Sequence, residues 1–211
     1  MKICEIFASI QGESSYAGMP CTFIRVARCN LRCSYCDTKY AYDEGKDISE
    51  DEIFNQIALI GIKLVEITGG EPLLQQGTPM LVERLIREGY KVLIETNGAL
   101  SIKSIDKRAV IILDIKTPGS GMSGEMDLSN LKYLKPEDEV KFVIIDRADY
   151  EWSKDFINEH DLRSKCHVLF SPVFGMLPPE LVIKWILEDR LDIRLNLQMH
   201  KYIYGRDRRG V

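Results

Sequence analysis

Three cysteines fall within eight residues, Cys29-Asn-Leu-Arg-Cys33-Ser-Tyr-Cys36, and no other stretch of this 211-residue chain holds so many soft ligands so close together. Thiolates converging from one short loop suit zinc or an iron–sulfur cluster. Structural zinc normally takes four protein ligands. Here the fourth would have to be His160, His167 or His200, all distant in sequence. A redox pair made of Cys33 and Cys36 would leave Cys29 without a task. A 4Fe–4S cluster held by three cysteines leaves one iron open to a non-protein ligand, and the spacing favours that reading. The other cysteines, Cys4, Cys21 and Cys166, sit in apolar strand-like runs and read as small core hydrophobes.

Such a loop needs a rigid frame. Short β-branched runs at 21–27, 63–68, 90–96, 109–115, 139–145, 166–171 and 192–197 read as strands, most of them continuously apolar as in a covered parallel sheet. Between them lie amphipathic helical patterns. Ser49 with Glu52 forms a capping box. Thr78-Pro79 gives an N-cap and an N1 proline, with Gly89 closing that helix. Pro178-Pro179 opens another helix, and 148–160 reads as a further one, with weaker patterns at 101–107 and 127–135. This alternation implies crossover connections and a parallel sheet in an α/β fold. About six βα units are too few for a closed eight-fold barrel, so a partial, open TIM-like barrel is expected. A doubly wound sheet is the alternative. Residues 1–211 read as a single domain, with 1–20 as an N-terminal extension and 198–211 as a C-terminal tail over the site. Polar and glycine-rich residues follow the strands, and in parallel α/β folds ligands bind along that edge.

Composition bounds the function. Apolar residues make up 45% and charged residues 28%, enough for a core and against disorder. The net charge of −4 argues against a nucleic-acid coat but not against a small anionic substrate. No apolar run approaches the ~20 residues of a membrane span. The start, interrupted by Glu5, does not read as a signal peptide. Reduced thiols in a cytoplasmic protein are therefore expected.

The C-x3-C-x2-C spacing, with Tyr35 before the last cysteine, resembles the radical S-adenosylmethionine (SAM) superfamily, and Gly69-Gly70-Glu71-Pro72 resembles its methionine-binding motif. The resemblance implies that SAM chelates the open iron through its amino and carboxylate groups. Its reductive cleavage then gives methionine and a 5′-deoxyadenosyl radical. Further stretches narrow the likeness: Ile6 to Ser14, Phe23-Ile24-Arg25, Cys36-Asp37-Thr38, Thr68 to Pro72, Glu95 to Gly98, Asp114 to Pro118 and Gln198 to Lys201. Across nearly the whole chain they resemble the 7-carboxy-7-deazaguanine synthases. That family converts 6-carboxy-5,6,7,8-tetrahydropterin to 7-carboxy-7-deazaguanine with loss of ammonia, on the route to the tRNA nucleosides queuosine and archaeosine. It is a lyase reaction that uses SAM catalytically and Mg²⁺.

The family resemblance implies a role for each matching residue. Cys29, Cys33 and Cys36 would hold the 4Fe–4S cluster. Tyr35, Cys36, Asp37, Gly69, Gly70, Glu71, Lys116, Thr117 and Pro118 would form the SAM site. Thr38 would offer its hydroxyl to Mg²⁺. Ile10, Gln11, Gly12 and Glu13 would contact the pterin, Glu13 suiting its guanine-like edge. Arg25 would pair with the substrate carboxylate, with Thr68, His200 and Val211 as further substrate contacts. Glu95 and His200 are the candidate proton-transfer groups. The partners implied are the small pterin, an electron donor such as flavodoxin or ferredoxin, and a second copy of the chain in a homodimer, with no direct nucleic-acid or membrane contact. The competing readings are a glycyl-radical enzyme activase and, outside enzymes, a zinc or iron–sulfur binding module.

Overall fold

The computed structural model describes residues 1–211. Nine strands form one sheet: β1 (Lys2–Ile10), β2 (Pro20–Val26), β3 (Lys46–Asp47), β4 (Leu64–Gly69), β5 (Lys91–Thr96), β6 (Val110–Ile115), β7 (Glu139–Ile144), β8 (His167–Pro172) and β9 (Arg194–Leu195). Their spatial order is β3-β1-β2-β4-β5-β6-β7-β8-β9, so the sheet is unclosed. From β2 onward every neighbouring pair is parallel. The two N-terminal pairings, β1 with β2 and β1 with β3, are antiparallel. The N-terminal extension is thus a full strand of the sheet.

Helices cover one face: α1 (Glu50–Ile60) between β2 and β4, α2 (Thr78–Arg87), α3 (Arg147–Glu159) and α4 (Pro179–Glu188). A short α5 (Met199–Tyr204) follows β9. The connections after β5 and β6 use only short 3-10 turns, at Ile102–Ser104 and Leu128–Lys132 among others, where the helical patterns were weak. Ser49 caps α1 by accepting from Glu52 N–H, as its sequence indicates. At α2 the cap moves back one residue to Gly77, because the Thr78 hydroxyl is taken by the Pro72 carbonyl at 2.6 Å. The expected 192–197 strand is cut to two residues. Asn196 turns inward there, accepting from Ser14 N–H at 2.7 Å and approaching the Ser171 hydroxyl.

Side-chain parity along the strands separates two environments. On β4, Val65 and Ile67 face the helices and join a core of 33 buried apolar residues. Leu64, Glu66 and Thr68 face the other way. That inner face has an apolar floor of Cys21, Phe23, Leu64, Leu93, Val110 and Ile112. Above it, towards the strand C-termini, the same parity brings Arg25, Glu66, Glu95, Asp114 and Lys141. Burial of the apolar residues, at about 1.5–3 kcal/mol each, holds these charges in place. Cys21 and Cys166 are buried as expected, whereas Cys4 is only half-buried, because β1 lies next to the sheet edge. No helix is long and apolar enough to cross a membrane.

Candidate active site

The three-cysteine loop leaves β2 through Arg28, which takes a left-handed φ of 74°. Its N–H donates to the Ala41 carbonyl at 2.7 Å and its carbonyl accepts from Glu71 N–H at 2.8 Å. Leu31 anchors the loop in the interior at 2% exposure. Ser34 ties it to the turn after β6, donating from N–H to the Ser120 carbonyl at 3.0 Å and from its hydroxyl to the Gly119 carbonyl at 2.8 Å. That turn is itself held by Asp149 of α3, which accepts from Gly119 N–H and from the Thr117 hydroxyl. All six cysteines are free thiols. Burial lifts the Cys29 and Cys33 thiols above their usual range, so iron must displace protons to bind them.

These three cysteines line a cavity of about 240 Å³ at the C-terminal edge of the sheet. Tyr35, Asp37, Thr38, Gly69, Gly70 and Lys116 share its wall, as do Ile10, Gln11, Gly12, Glu13, Arg25, Thr68, Glu95, His200 and Val211. Residues from both ends of the chain therefore meet at one site. Glu71, Thr117 and Pro118, expected at the SAM site, are not on this wall. The Glu71 carboxylate is fully buried and accepts from Leu73 N–H, the Thr96 hydroxyl and Asn97 N–H, so it braces the loops behind the cavity. The Thr117 hydroxyl is spent on the Val143 carbonyl and Asp149, and Pro118 is exposed outside the cavity. The glycine pair also has an internal reason. A Cβ on Gly70 would overlap the Arg28 carbonyl and crowd Cys29 N, so glycine there lets the β4 turn pack against the cluster loop.

The polar groups divide into two layers. On the substrate side, Arg25 donates through Nε to Glu5 at 2.7 Å, and no protein acceptor engages its terminal nitrogens. Glu5 also accepts from the Tyr40 hydroxyl at 2.8 Å. Gln11 donates to Glu66, while its Oε1 accepts from Glu13 N–H at 2.8 Å, which fixes the turn. Burial would raise the Glu13 carboxyl, but the Lys141 ammonium, with His200 and Gln198, holds it at about 2. Glu66 goes the other way: burial, then the nearby Glu95 and Glu13, push its carboxyl well above the usual range. Burial also lowers the His200 imidazole, opposed by Glu13. A Cβ on Gly12 would strike His200, and Gly12 O accepts from Met199 N–H at 2.7 Å, so this glycine lets α5 lie against the N-terminal turn.

The tail closes over the same site. Lys201, buried, pairs with Asp37 and donates to Gln198 Oε1 at 2.7 Å. Arg209 pairs with Glu44 at 3.0 Å and covers the Tyr40 ring at 3.6 Å. The remaining histidines lie elsewhere, His160 at the end of α3 against Phe156 and His167 exposed on β8.

The donor set fits the groups expected. Cys29, Cys33 and Cys36 reach the cavity from one loop, the soft-ligand set that an iron–sulfur cluster takes. Two buried polar atoms of residues on the wall, Asp114 Oδ1 and the Tyr35 hydroxyl, have no protein hydrogen-bond partner. The Thr38 hydroxyl, donating to Asp37 at 2.9 Å, also reaches the wall. Sequence reasoning missed Glu66, Asp114, Lys141 and Asn97 as site residues. Asn97 points its amide at Cys29 Sγ (3.7 Å) and Asn30 Oδ1 (2.9 Å). For Glu66, Asp114 and Lys141 the available signal was a charge embedded in an apolar strand on the inward parity; Asn97, in the turn after β5, had none.

An open parallel α/β sheet carrying three loop cysteines beside a glycine pair defines a radical SAM enzyme. The model of the Radical SAM superfamily matches residues 23–116, the segment from β2 to the end of β6. Curated relatives named 7-carboxy-7-deazaguanine synthase match the whole chain: 46% identity with that of Koribacter versatilis, covering all of both chains, and 46% with that of Chlorobaculum tepidum, covering 97% of the relative. The chain belongs to the 7-carboxy-7-deazaguanine synthase family, whose members are radical SAM lyases. Among solved structures, a crystal structure of QueE from Escherichia coli superimposes with a TM-score of 0.79 over 94% of each chain. At 22% identity this supports the fold alone. Streptococcus suis SuiB bound to S-adenosylmethionine matches more loosely, with a TM-score of 0.55 at 18% identity over 80% of this chain and 44% of that one.

Proposed function

We propose that the cavity at the strand C-termini converts 6-carboxy-5,6,7,8-tetrahydropterin to 7-carboxy-7-deazaguanine with loss of ammonia, with residues 1–211 acting as one unit. The observation that carries this reading is the meeting of the Cys29–Cys36 loop and the Gln11–Glu13 turn on one wall. The 4Fe–4S cluster on Cys29, Cys33 and Cys36, with SAM beside Tyr35, Gly69, Gly70 and Lys116, supplies the radical chemistry. Asp114 Oδ1 and the Tyr35 hydroxyl, buried beside that wall without a protein partner, are the groups proposed to hydrogen-bond SAM.

The chain's own residues bind and orient the substrate. Arg25 presents its free guanidinium edge to the substrate carboxylate, and Thr38 would offer its hydroxyl oxygen to Mg²⁺, which would supply charge neutralisation for the anionic substrate. Glu13 stays ionised and accepts from the N–H groups of the guanine-like edge. Thr68 donates to Glu95 at 2.9 Å, which sets the direction of that carboxylate. Glu95 and His200 are the groups placed to move a proton at the substrate, and burial favours the neutral, proton-accepting imidazole. The 198–211 segment excludes water from above. A small electron-transfer protein (flavodoxin or ferredoxin) and a second copy of the chain are the proposed partners. The exposed Met176, Tyr202 and Ile203 offer apolar surface for docking. The oxygen-sensitive cluster fits a reducing cytoplasm.

The test is anaerobic reconstitution with iron and sulfide, followed by reductant, SAM, Mg²⁺ and carboxytetrahydropterin. The deazaguanine product is expected. SAM cleavage without that product would refute the substrate assignment alone. Bound zinc without an iron chromophore would refute the cluster as well.

A further inference from the structure

Lys141 lies on the inward parity of β7, and its side chain is only 6% exposed. Its ammonium reaches three carboxylates from three separate elements. These are Glu13 Oε2 of the N-terminal turn at 3.0 Å, Glu95 of β5 in close contact, and Asp114 Oδ2 of β6 at 3.9 Å. Asp114 has its own partner, Lys116, at 2.7 Å. Glu13 and Glu95 form ion pairs with no cation but Lys141. The second oxygen of each is also held, Glu13 by Gln198 Nε2 at 3.0 Å and Glu95 by the Thr68 hydroxyl at 2.9 Å. Both carboxylates are thus fixed at two points, with one ammonium between them.

We infer that Lys141 is the positioning residue of the substrate pocket, holding Glu13 and Glu95 side by side as a preset pair of acceptors for a ligand that presents adjacent N–H donors, such as a cyclic guanidine edge. The inference rests on the reading of Glu13 as a substrate contact and extends it to Glu95, proposed above as a proton-transfer group. Its physical basis is charge balance in a largely buried layer. Around Lys141 stand Glu13, Glu95 and Asp114, with Glu66 on β4, Lys116 just after β6, Arg25 on β2 and His200 on α5. Arg25 is committed to Glu5 and Lys116 to Asp114. Without the Lys141 ammonium the Glu13–Glu95 pair repels itself, and protons replace the missing charge. A protonated carboxyl turns an acceptor into a donor, and the substrate N–H groups lose their partner. Glu66 illustrates the alternative: it lies in the same layer without an ion-pair partner, and its carboxyl is the one pushed upward.

The experiment compares Lys141→Met and Lys141→Arg in the reconstituted holoenzyme, reading iron content, substrate-independent SAM cleavage, KM and kcat for carboxytetrahydropterin, and the pH profile of kcat/KM. In Lys141→Met, iron content should match wild type, because Lys141 touches no cluster-loop residue. KM should rise about tenfold to a hundredfold, the size of effect typical of losing an outer partner that orients a binding group. The acid limb of kcat/KM should move to higher pH, and Lys141→Arg should restore part of KM. The inference is overturned by an unchanged KM and acid limb in Lys141→Met, or by iron content and SAM cleavage falling in step with KM in both variants. Glu13→Gln and Glu95→Gln separate the two levels. If neither alters KM, the substrate assignment of these carboxylates fails. If either raises KM while Lys141→Met does not, that assignment stands and the positioning role fails.

Discussion

Replacing Glu71 by glutamine distinguishes a brace from a ligand. The motif suggests a SAM contact, whereas the carboxylate is fully buried and spent on three protein donors. Oε1 accepts from Leu73 N–H at 2.9 Å and the Thr96 hydroxyl at 2.7 Å, and Oε2 from Asn97 N–H at 2.8 Å. A glutamine carbonyl can serve the first pair, but its amide then faces the Asn97 N–H, donor against donor. One orphaned buried donor costs about 1–3 kcal/mol. The two surviving bonds also lose their charge assistance. Against this, burial pushes the Glu71 carboxyl upward, so a neutral side chain recovers part of the desolvation. The net loss expected for Glu71→Gln is about 1–3 kcal/mol. In a chain of this size it reads as a fall in Tm of about 2–4 °C per kcal/mol. Glu71→Ala, which orphans all three donors and opens a void, should cost about 3–5 kcal/mol. The assay is anaerobic urea denaturation of the cluster-free protein, beside equilibrium SAM binding to the reconstituted one. A Glu71→Gln protein within about 0.5 kcal/mol of wild type, with SAM affinity reduced tenfold or more, would refute the bracing argument.

Two further outcomes follow from the same interior. Glu66 has a folded pKa above its ordinary 4.5, so its contribution to stability is complete below 4.5 and declines as pH rises through the folded value. Glu66→Gln keeps an acceptor for Gln11 and cannot ionise. Its stability relative to wild type should therefore grow with pH above 4.5, as read by urea midpoints across a pH series; a constant difference would contradict the assignment. Gly70→Ala places a methyl against the Arg28 carbonyl and Cys29 N, backbone atoms that cannot rotate away. Reconstituted iron should fall well below wild type with the far-UV circular dichroism unchanged, and full iron loading would show that the loop can shift without loss.

The amino-acid order by itself determined most of the fold and the reactive end of the site. Six of the seven strand expectations became strands of nearly the expected extent, and helices formed where caps and prolines marked them, because period and capping are local properties. The cysteine spacing likewise carried the cluster loop, since its ligands lie close along the chain. Contacts across the sheet decided the rest. The DIRLNL run has strand chemistry, but Asn196 is claimed by Ser14, which is far away in sequence. Glu71 looked like a ligand next to two glycines until β5 and its following turn supplied two buried donors, the Thr96 hydroxyl and Asn97 N–H, beside the local Leu73 N–H. Glu66, Asp114 and Lys141 carry no assigned role in the sequence, and Glu95 reads there only as a proton-transfer candidate. Only the register of four neighbouring strands puts them in one layer, where a charge's meaning depends on which opposite charge stands within reach. Sequence spacing can place a ligand set on one loop, but it cannot sum the electrostatics of side chains that meet only after the sheet has formed.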